Sequence, residues 1–542
     1  MKSYVVVSKA PKMDYTRDYV ALPKEYGTPG WFARPDIAAI RKTVRDNLEE
    51  LRGKTGFTER LQGRTTIIKP NLVSVWHNAG FVEMDYPNTT DPRVLDAVIE
   101  YLQDYTKDIV IAESSGRGMP TLGSFMISGI DRLAKYRGAR LVSLEEEPVQ
   151  RYYLPRAQVM KDVFLPRIFT KVVEGEAFYI SMPKMKTNMY TKVTLGFKNG
   201  MGCIPYNLRQ RNHNHDLEQK LVDMLWLFRP DMVIIDGIVG AEGQCPGPVD
   251  PVDSRVIISG DNSVETDRVA TQIMGFDPNS VKLMQLADAQ GFGCPDVEVS
   301  GDTSPIEFKP ADPSLLGPSF TKLFPNVRAL VGHSHRHAPQ PGTTVDQDFL
   351  HRLEMSCRGG CLTTARLGFE FLHYEGLNRD FELTIIVGAG CSVNGERVWF
   401  DHAGKSYTVS EIAALPGTKL AVGNCALGQL EGKLDHFIPG CMVFPNSVHM
   451  KLHKLTKLRC RVVNPFGPAA PALLKGTLRM RRTRRKLLRQ GQHLDWWPDL
   501  PEIDGLEKSD EDWVKVDLPP LSKEQIRERI RAEWQEVFDL IV

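Results

Sequence analysis

No stretch of the 542 residues approaches about 18 consecutive apolar side chains, so the sequence offers no membrane-spanning helix. The opening segment MKSYVVVSKAPKMDY has an apolar run of four at most, too short for the core of a secretion signal. Cysteine is sparse: nine residues, an odd number, far below the density of a disulfide scaffold. These shortages together predict a cytoplasmic protein with reduced thiols. Net charge is almost missing too. Lys and Arg number 68 and Asp and Glu 67, which leaves +1 and argues against a wholesale nucleic-acid binder. The chain has no Walker P-loop, no G-x-S-x-G elbow, no G-x-G-x-x-G fingerprint and no C-x2-C-x2-C run. The ready-made nucleotide, hydrolase and ferredoxin readings therefore fall away.

What the chain does have is a series of short apolar runs that end in glycine or in polar clusters. They are TTIIKPN (65–71), DIVIAESSG (108–116), AFYISMPK (177–184), DMVIIDG (231–237), RVIISGD (255–261), ELTIIVGAG (382–390) and KLAVGN (419–424). Continuous β-branched runs without alternation predict strands buried on both faces, as in a parallel sheet. Helical patterns lie between them. In DPRVLDAVIEYLQD (91–104), Asp91 is placed as N-cap and Pro92 at the first helical position. The expected fold is α/β, a mostly parallel sheet with helices on both faces, plus a second smaller α/β unit and a C-terminal helical tail. The expected division is an α/β domain over 1–300, a linker and helical excursion over 301–379, a smaller cysteine-containing α/β domain over 380–465, and a tail over 466–542. That tail has a basic segment (475–489), an acidic connector and a final amphipathic helix opened by a capping box of Ser522 and Gln525.

Ligands of parallel sheets bind beyond the carboxyl ends of the strands, so the residues closing each run are the site candidates. Lys69 and Asn71 close the first run around a proline. Glu113 closes the second. Asp236 and Glu242 lie in IIDGIVGAEGQCPGP, and Asp261 and Asp267 in SGDNSVETD, with Asp261 also placed to cap the following helix. The stretch KMKTNMYTKVTLGFKNGMG (184–202) carries four lysines and no acid. Lys184, Lys186 and Thr187 open it on an extended segment; Lys198 and Asn199 end it in a glycine-rich turn. Converging lysines and backbone amides suit a phosphate or carboxylate. The acids could instead hold Mg2+ or work as general acid and base.

KPN with downstream TTDP, ES-G, PKxKT, T-x-G-x-KNGMG, the HNH segment at 213–215, IIDGIxGxEGxxPGP and SGD follow one another in order. Over roughly 65–295 this series resembles the family catalogued as domain of unknown function 362. The resemblance implies the domain and the place of the site but no reaction. Some members resemble iron–sulfur proteins because they carry ferredoxin-type modules, which this chain lacks.

Cys391, Cys425 and Cys441 each follow a strand-like run and a glycine, a placement that would gather them at one sheet edge to hold an iron–sulfur cluster or another soft metal. Cys357 and Cys361 could add to them, four apart on a helix. His333, His335 and His337 alternate, and His449 and His453 have helical i, i+4 spacing. The leading expectation is a redox enzyme with an iron–sulfur or other soft-metal centre. Its anionic small-molecule substrate would sit on Lys69, Lys184, Lys186 and Lys198. The alternatives are a non-redox Mg-dependent enzyme on a phosphorylated or carboxylated substrate, and an interaction scaffold. Peripheral membrane contact through 475–489 and oligomerisation through the final helix complete the expected partners.

Overall fold

The computed structural model describes residues 2–75, 77, 85–116, 119–334, 345–374, 381–457, 467–495, 505–506 and 509–541. His335 and His337 lie outside these residues. In chain order the strands of the first half are β1 (Ser3–Lys9), β2 (Thr65–Pro70), β3 (Ile109–Glu113), β4 (Arg140–Ser143), β5 (Val149–Tyr153), β6 (Asp162–Pro166), β7 (Ala177–Met182), β8 (Lys184–Asn188), β9 (Lys192–Thr194), β10 (Met232–Gly243), β11 (Val249–Val252), β12 (Val256–Gly260) and β13 (Val297–Gly301). The main sheet runs β13-β1-β12-β10-β7-β2-β3-β4, and only β12 is antiparallel to its neighbours along that path.

The apolar runs work as expected because adjacent residues serve opposite faces. Ile67, Val233 and Ile235 enter one core, Ile68 and Ile234 the other. Burying each such side chain contributes roughly 1.5–3 kcal/mol. Helices cover both faces, including Pro35–Thr55 and Pro92–Leu102 in the second core. Asp91 does cap the latter helix, its carboxylate accepting from Arg93 N at 2.9 Å, with Pro92 in the first turn. Asp261 does not cap the helix Ser263–Ile273. Asn262 accepts from Val264 N and Glu265 N there, while Asp261 accepts from Ser3 Oγ and Tyr4 N, both at 2.8 Å.

A second sheet is built from β14 (Val327–Val331), β15 (Leu383–Val387), β16 (Cys391–Val393), β17 (Glu396–Phe400), β18 (Ser406–Thr408), β19 (Thr418–Val422) and β20 (His436–Ile438). Its order is β16-β17-β14-β15-β19-β20, with β14, β15, β19 and β20 parallel. The linker assignment for 301–379 fails here. β14 is an inner strand of this sheet, and helices Gln347–Met355 and Cys361–Tyr374 pack Phe349, Leu353, Ala365 and Phe369 into its core. Gly359 and Gly360 mark the break between those helices.

The tail returns to the first half. Strand β21 (Val514–Val516) pairs with β5. Helix Ala470–Arg489 crosses Thr121–Ser128 at Gly476 and Gly123, where a Cβ on Gly476 would stand 2.9 Å from Gly123 N. The basic segment is therefore a packed helix with one free face, not a loose cationic arm. Its buried Arg484 donates to Asp495 Oδ1 at 2.6 Å and to Glu145 O at 2.6 Å. Helix Lys523–Ile541 begins with the expected capping box, Gln525 N donating to Ser522 Oγ and Ser522 N to Gln525 Oε1. Among the described residues no helix is long and apolar enough to cross a membrane.

Candidate functional site

The carboxyl ends of β2, β3, β7 and β10 are neighbours, and they bring most of the predicted residues of the first unit together. Lys69 leaves β2 fully buried. Its ammonium donates to Glu113 Oε2 at 2.9 Å, Asn199 Oδ1 at 2.8 Å and Pro70 O at 2.9 Å. Glu113 also accepts from Leu72 N at 3.0 Å and Ser114 N at 2.8 Å. Gly202 makes room for this pair: a Cβ there would stand 2.6 Å from Lys69 Nζ and 2.9 Å from Glu113 Oε1. Asn199 closes the group, donating to Lys69 O and Ser181 Oγ.

Lys184 meets Asp236 in the same way, 3.0 Å apart with both side chains wholly buried. Asp236 also accepts from Asp91 N at 2.7 Å. Burial pushes the Asp236 carboxyl up, and the Lys184 ammonium opposes that shift. Thr187 donates to Gly243 O at 2.9 Å, and Glu242 pairs with the exposed Lys309 at 3.0 Å while accepting from Lys309 N. Asp236 and Glu242 thus serve different partners and do not form a joint cation site. Lys69, Lys184, Asn199 and Thr187 fasten strand ends, which is a structural role that their sequence motifs did not distinguish from ligand contact.

Three cations differ. Lys186 is buried but touches no acid; it donates to Asn88 O at 2.6 Å and Asn88 Oδ1 at 2.8 Å. Burial first, then Lys184 and Lys69, push its ammonium down to about 8. Lys198 stands partly open to the surface and no described residue pairs with it. Burial of the ammonium among protein atoms, then Lys186 and Arg209, push it down to about 7. Arg209 sends its guanidinium to the backbone carbonyls of Ser114, at 2.7 Å, and Ser115. None of the three makes an ion pair among the described residues. Beside them, burial and then Lys198 and Arg209 hold His213 down to about 3, so its ring is neutral. The Oδ1 of Asn71 is buried with no hydrogen-bond partner. Arg209 and Asn88 carried no motif signal, because each reaches the site from outside the strand ends.

In the second unit the strand-end argument holds for Cys425 and Cys441 but not for Cys391. A small apolar cavity at the ends of β19 and β20 is lined by Cys357, Cys361, Cys425 and Cys441, with Asn214 and His215 from the first unit. Cys391 instead begins β16 opposite Val398, in a hairpin turned by Asn394 and Gly395, both at positive φ. That Asn-Gly pair was the available signal for the turn away. Cys357 and Cys361 share a hydrogen bond that pulls the Cys357 thiol down to about 7. None of the eight described cysteines is in a disulfide. No three described His, Cys, Asp or Glu side chains converge closely enough to hold one metal ion. His449 and His453 meet each other, Nε2 to Nε2 at 2.8 Å. His333 packs beside Arg397 at the end of β14.

A comparison with solved structures gives no match. The thylakoid-associated protein sll1697 of Synechocystis sp. is 24% identical over 264 residues, covering 47% of this chain and 76% of that protein. Residues 66–272, the segment that holds β2 through β12 and the lysine-rich strand ends, match the model of the family described as "Domain of unknown function (DUF362)".

Proposed function

We propose that the chain is an enzyme acting on a small anionic substrate, phosphorylated or carboxylated, held over Lys198 with Lys186 and Arg209. The carrying observation is that these three cations have no carboxylate partner, while Lys69 and Lys184 beside them each have one. Burying uncompensated positive charge is costly, and a bound anion removes that cost. Lys198 is also the proton carrier of choice, since an ammonium near 7 can give and take a proton at neutral pH. The unpaired Asn71 Oδ1 offers an acceptor for a substrate hydroxyl or amide. The redox reading from the sequence is retained, with its metal centre in the second unit. The Mg-dependent alternative gains nothing from Asp236 and Glu242, which are engaged elsewhere.

The test is calorimetric titration of the full chain with inorganic phosphate and with small mono- and dicarboxylates. Lys198→Ala is expected to weaken binding by at least about tenfold, the worth of roughly 1.4 kcal/mol. Affinity is expected to fall with rising pH. The free protein loses the Lys198 proton above about 7, and binding must restore it, so each further pH unit costs about tenfold, and the fall steepens once Lys186 also loses its proton above about 8. Equal binding by Lys198→Ala, or affinity that does not change between pH 7 and 9, would sink the assignment.

We also propose that the free face of helix Ala470–Arg489 rests on an anionic membrane surface. Leu474 and Leu478 are 62% and 56% exposed, and Lys475, Arg482, Lys486 and Arg489 share that exposed side, while Arg479 turns to Glu146 at 3.2 Å. Apolar insertion with about 1 kcal/mol per basic residue near anionic lipid is the expected mode. The relative named as thylakoid-associated fits this placement. Flotation with vesicles should show binding to phosphatidylglycerol-containing membranes only, abolished in Leu474→Glu/Leu478→Glu. Equal flotation with neutral vesicles, or none with either, would reject it.

A further inference from the structure

The second unit contains a four-thiol cavity made by four of the five cysteines that the sequence grouped together, without Cys391. Cys425 follows β19 and Cys441 follows β20, neighbouring parallel strands whose ends coincide. Cys361 opens the helix Cys361–Tyr374 and Cys357 stands in the turn before it. Four glycines, Gly360, Gly388, Gly423 and Gly440, line the same cavity. Gly388, Gly423 and Gly440 all hold positive φ, a conformation that residues with a side chain rarely adopt. A Cβ on Gly423 would stand 2.6 Å from Cys361 Sγ, so that thiol depends on the missing side chain. Gly360 is 3.5 Å from Cys357 Sγ by the same measure. Asn214 reaches over from the first unit, its Nδ2 3.9 Å from Cys441 Sγ.

We propose that Cys357, Cys361, Cys425 and Cys441 are the four thiolate ligands of an iron–sulfur cluster seated in this cavity. Four thiols around an apolar, glycine-lined space match the chemistry of a cubane cluster, which takes four cysteines and backbone amides close to its sulfides. Binding replaces four S–H protons by four Fe–S bonds and releases those protons to solvent. Asn214 and His215 of the segment 213–215 line the cavity, and the adjoining His213 feels the positive charge of Lys198. The cluster thereby lies next to the proposed anion site. In giving that site a redox neighbour it rests on the enzyme reading; as a metal centre it stands alone.

The experiment is reconstitution of the anaerobically purified full chain with equal amounts of ferrous and ferric iron and with sulfide, a mixture that forms the mixed-valence core without a further oxidant. About four iron and four sulfide per chain are expected, with the broad charge-transfer absorption of such clusters. Cys425→Ser/Cys441→Ser should lose that absorption, and Cys391→Ser should keep it. If the double variant does not fold, alkylation of wild type read by mass spectrometry decides instead. Cys357, Cys361, Cys425 and Cys441 should be protected when loaded and modified after chelation. Lack of iron in the reconstituted wild type, zinc as its only metal, full absorption in the double variant, or alkylation unaffected by loading would each overturn the proposal. Lys198→Ala should keep its iron and lose phosphate binding, so the two sites can fail separately.

Discussion

Glu113→Ala is expected to destabilise the protein by about 3–5 kcal/mol, read as a lower midpoint in chemical denaturation. The magnitude comes from what the carboxylate leaves behind. Lys69 is 1% exposed and Glu113 2%, so the surviving ammonium has no route to water. The amides of Leu72 and Ser114 lose their acceptor in the same step, and an unmet buried donor costs about 1–3 kcal/mol. The pair joins the ends of β2 and β3, and through Asn199 it reaches the turn that presents Lys198. Loss of the pair should therefore weaken anion binding as well as folding. Lys69→Met/Glu113→Leu removes both charges and should recover much of the stability, because apolar replacement of a buried ion pair is often neutral. A denaturation midpoint equal to wild type in Glu113→Ala would show that this pair does not hold the strand ends.

Asp495→Ala should have an effect of similar size, about 3–5 kcal/mol, but located in the tail. Asp495 is 2% exposed and accepts from Arg484 at 2.6 Å, from Arg529 at 3.1 Å and from the Asn207 amide. Without it two guanidinium groups face each other in the interior. Burial pushes the Asp495 carboxyl up, yet Arg484 and Arg529 together pull it below its ordinary range. Its contribution is therefore present above the ordinary carboxylate value and is lost as pH falls through the lowered one. Acid unfolding of the tail should shift accordingly, and the Ala variant should lack that step. Limited proteolysis at neutral pH should release fragments beginning near residue 467 from the variant and not from wild type. Equal resistance of the two proteins would exclude Asp495 as the clasp.

The sheet was legible because its strands are local statements: TTII, IVIA and MVII each say "buried on both sides" within a few residues. The rule that ligands gather at carboxyl ends then pointed to the edge of the first sheet where Lys69, Glu113, Lys184, Asp236 and Asn199 meet. Partner choice was not legible. Lys69 finds Glu113 across 44 positions and Asn199 across 130, distances that no local pattern spans. The sequence also put Asp236 and Glu242 on one site, whereas β10 continues well past Asp236 and takes Glu242 to an edge pairing with β11. For the thiols, the strand-then-glycine pattern was right for Cys425 and Cys441. It misled at Cys391 because two glycines and an Asn-Gly turn send that strand end into a hairpin. Cys357 and Cys361 were the harder pair, since their place depends on how a helix docks rather than on how a strand ends.

Gly359 has a consequence for the join between the two halves. A Cβ there would stand 1.9 Å from Asn214 O, so the turn between the helices touches the 213–215 segment backbone to backbone. The seam is a spacer with no adjustable part. Its width is set by peptide atoms, and a side chain of any length at position 359 would wedge the thiol cavity away from Lys198. A single methyl group at this point would act as a shim, leaving each half intact while separating the chemistry of one from that of the other.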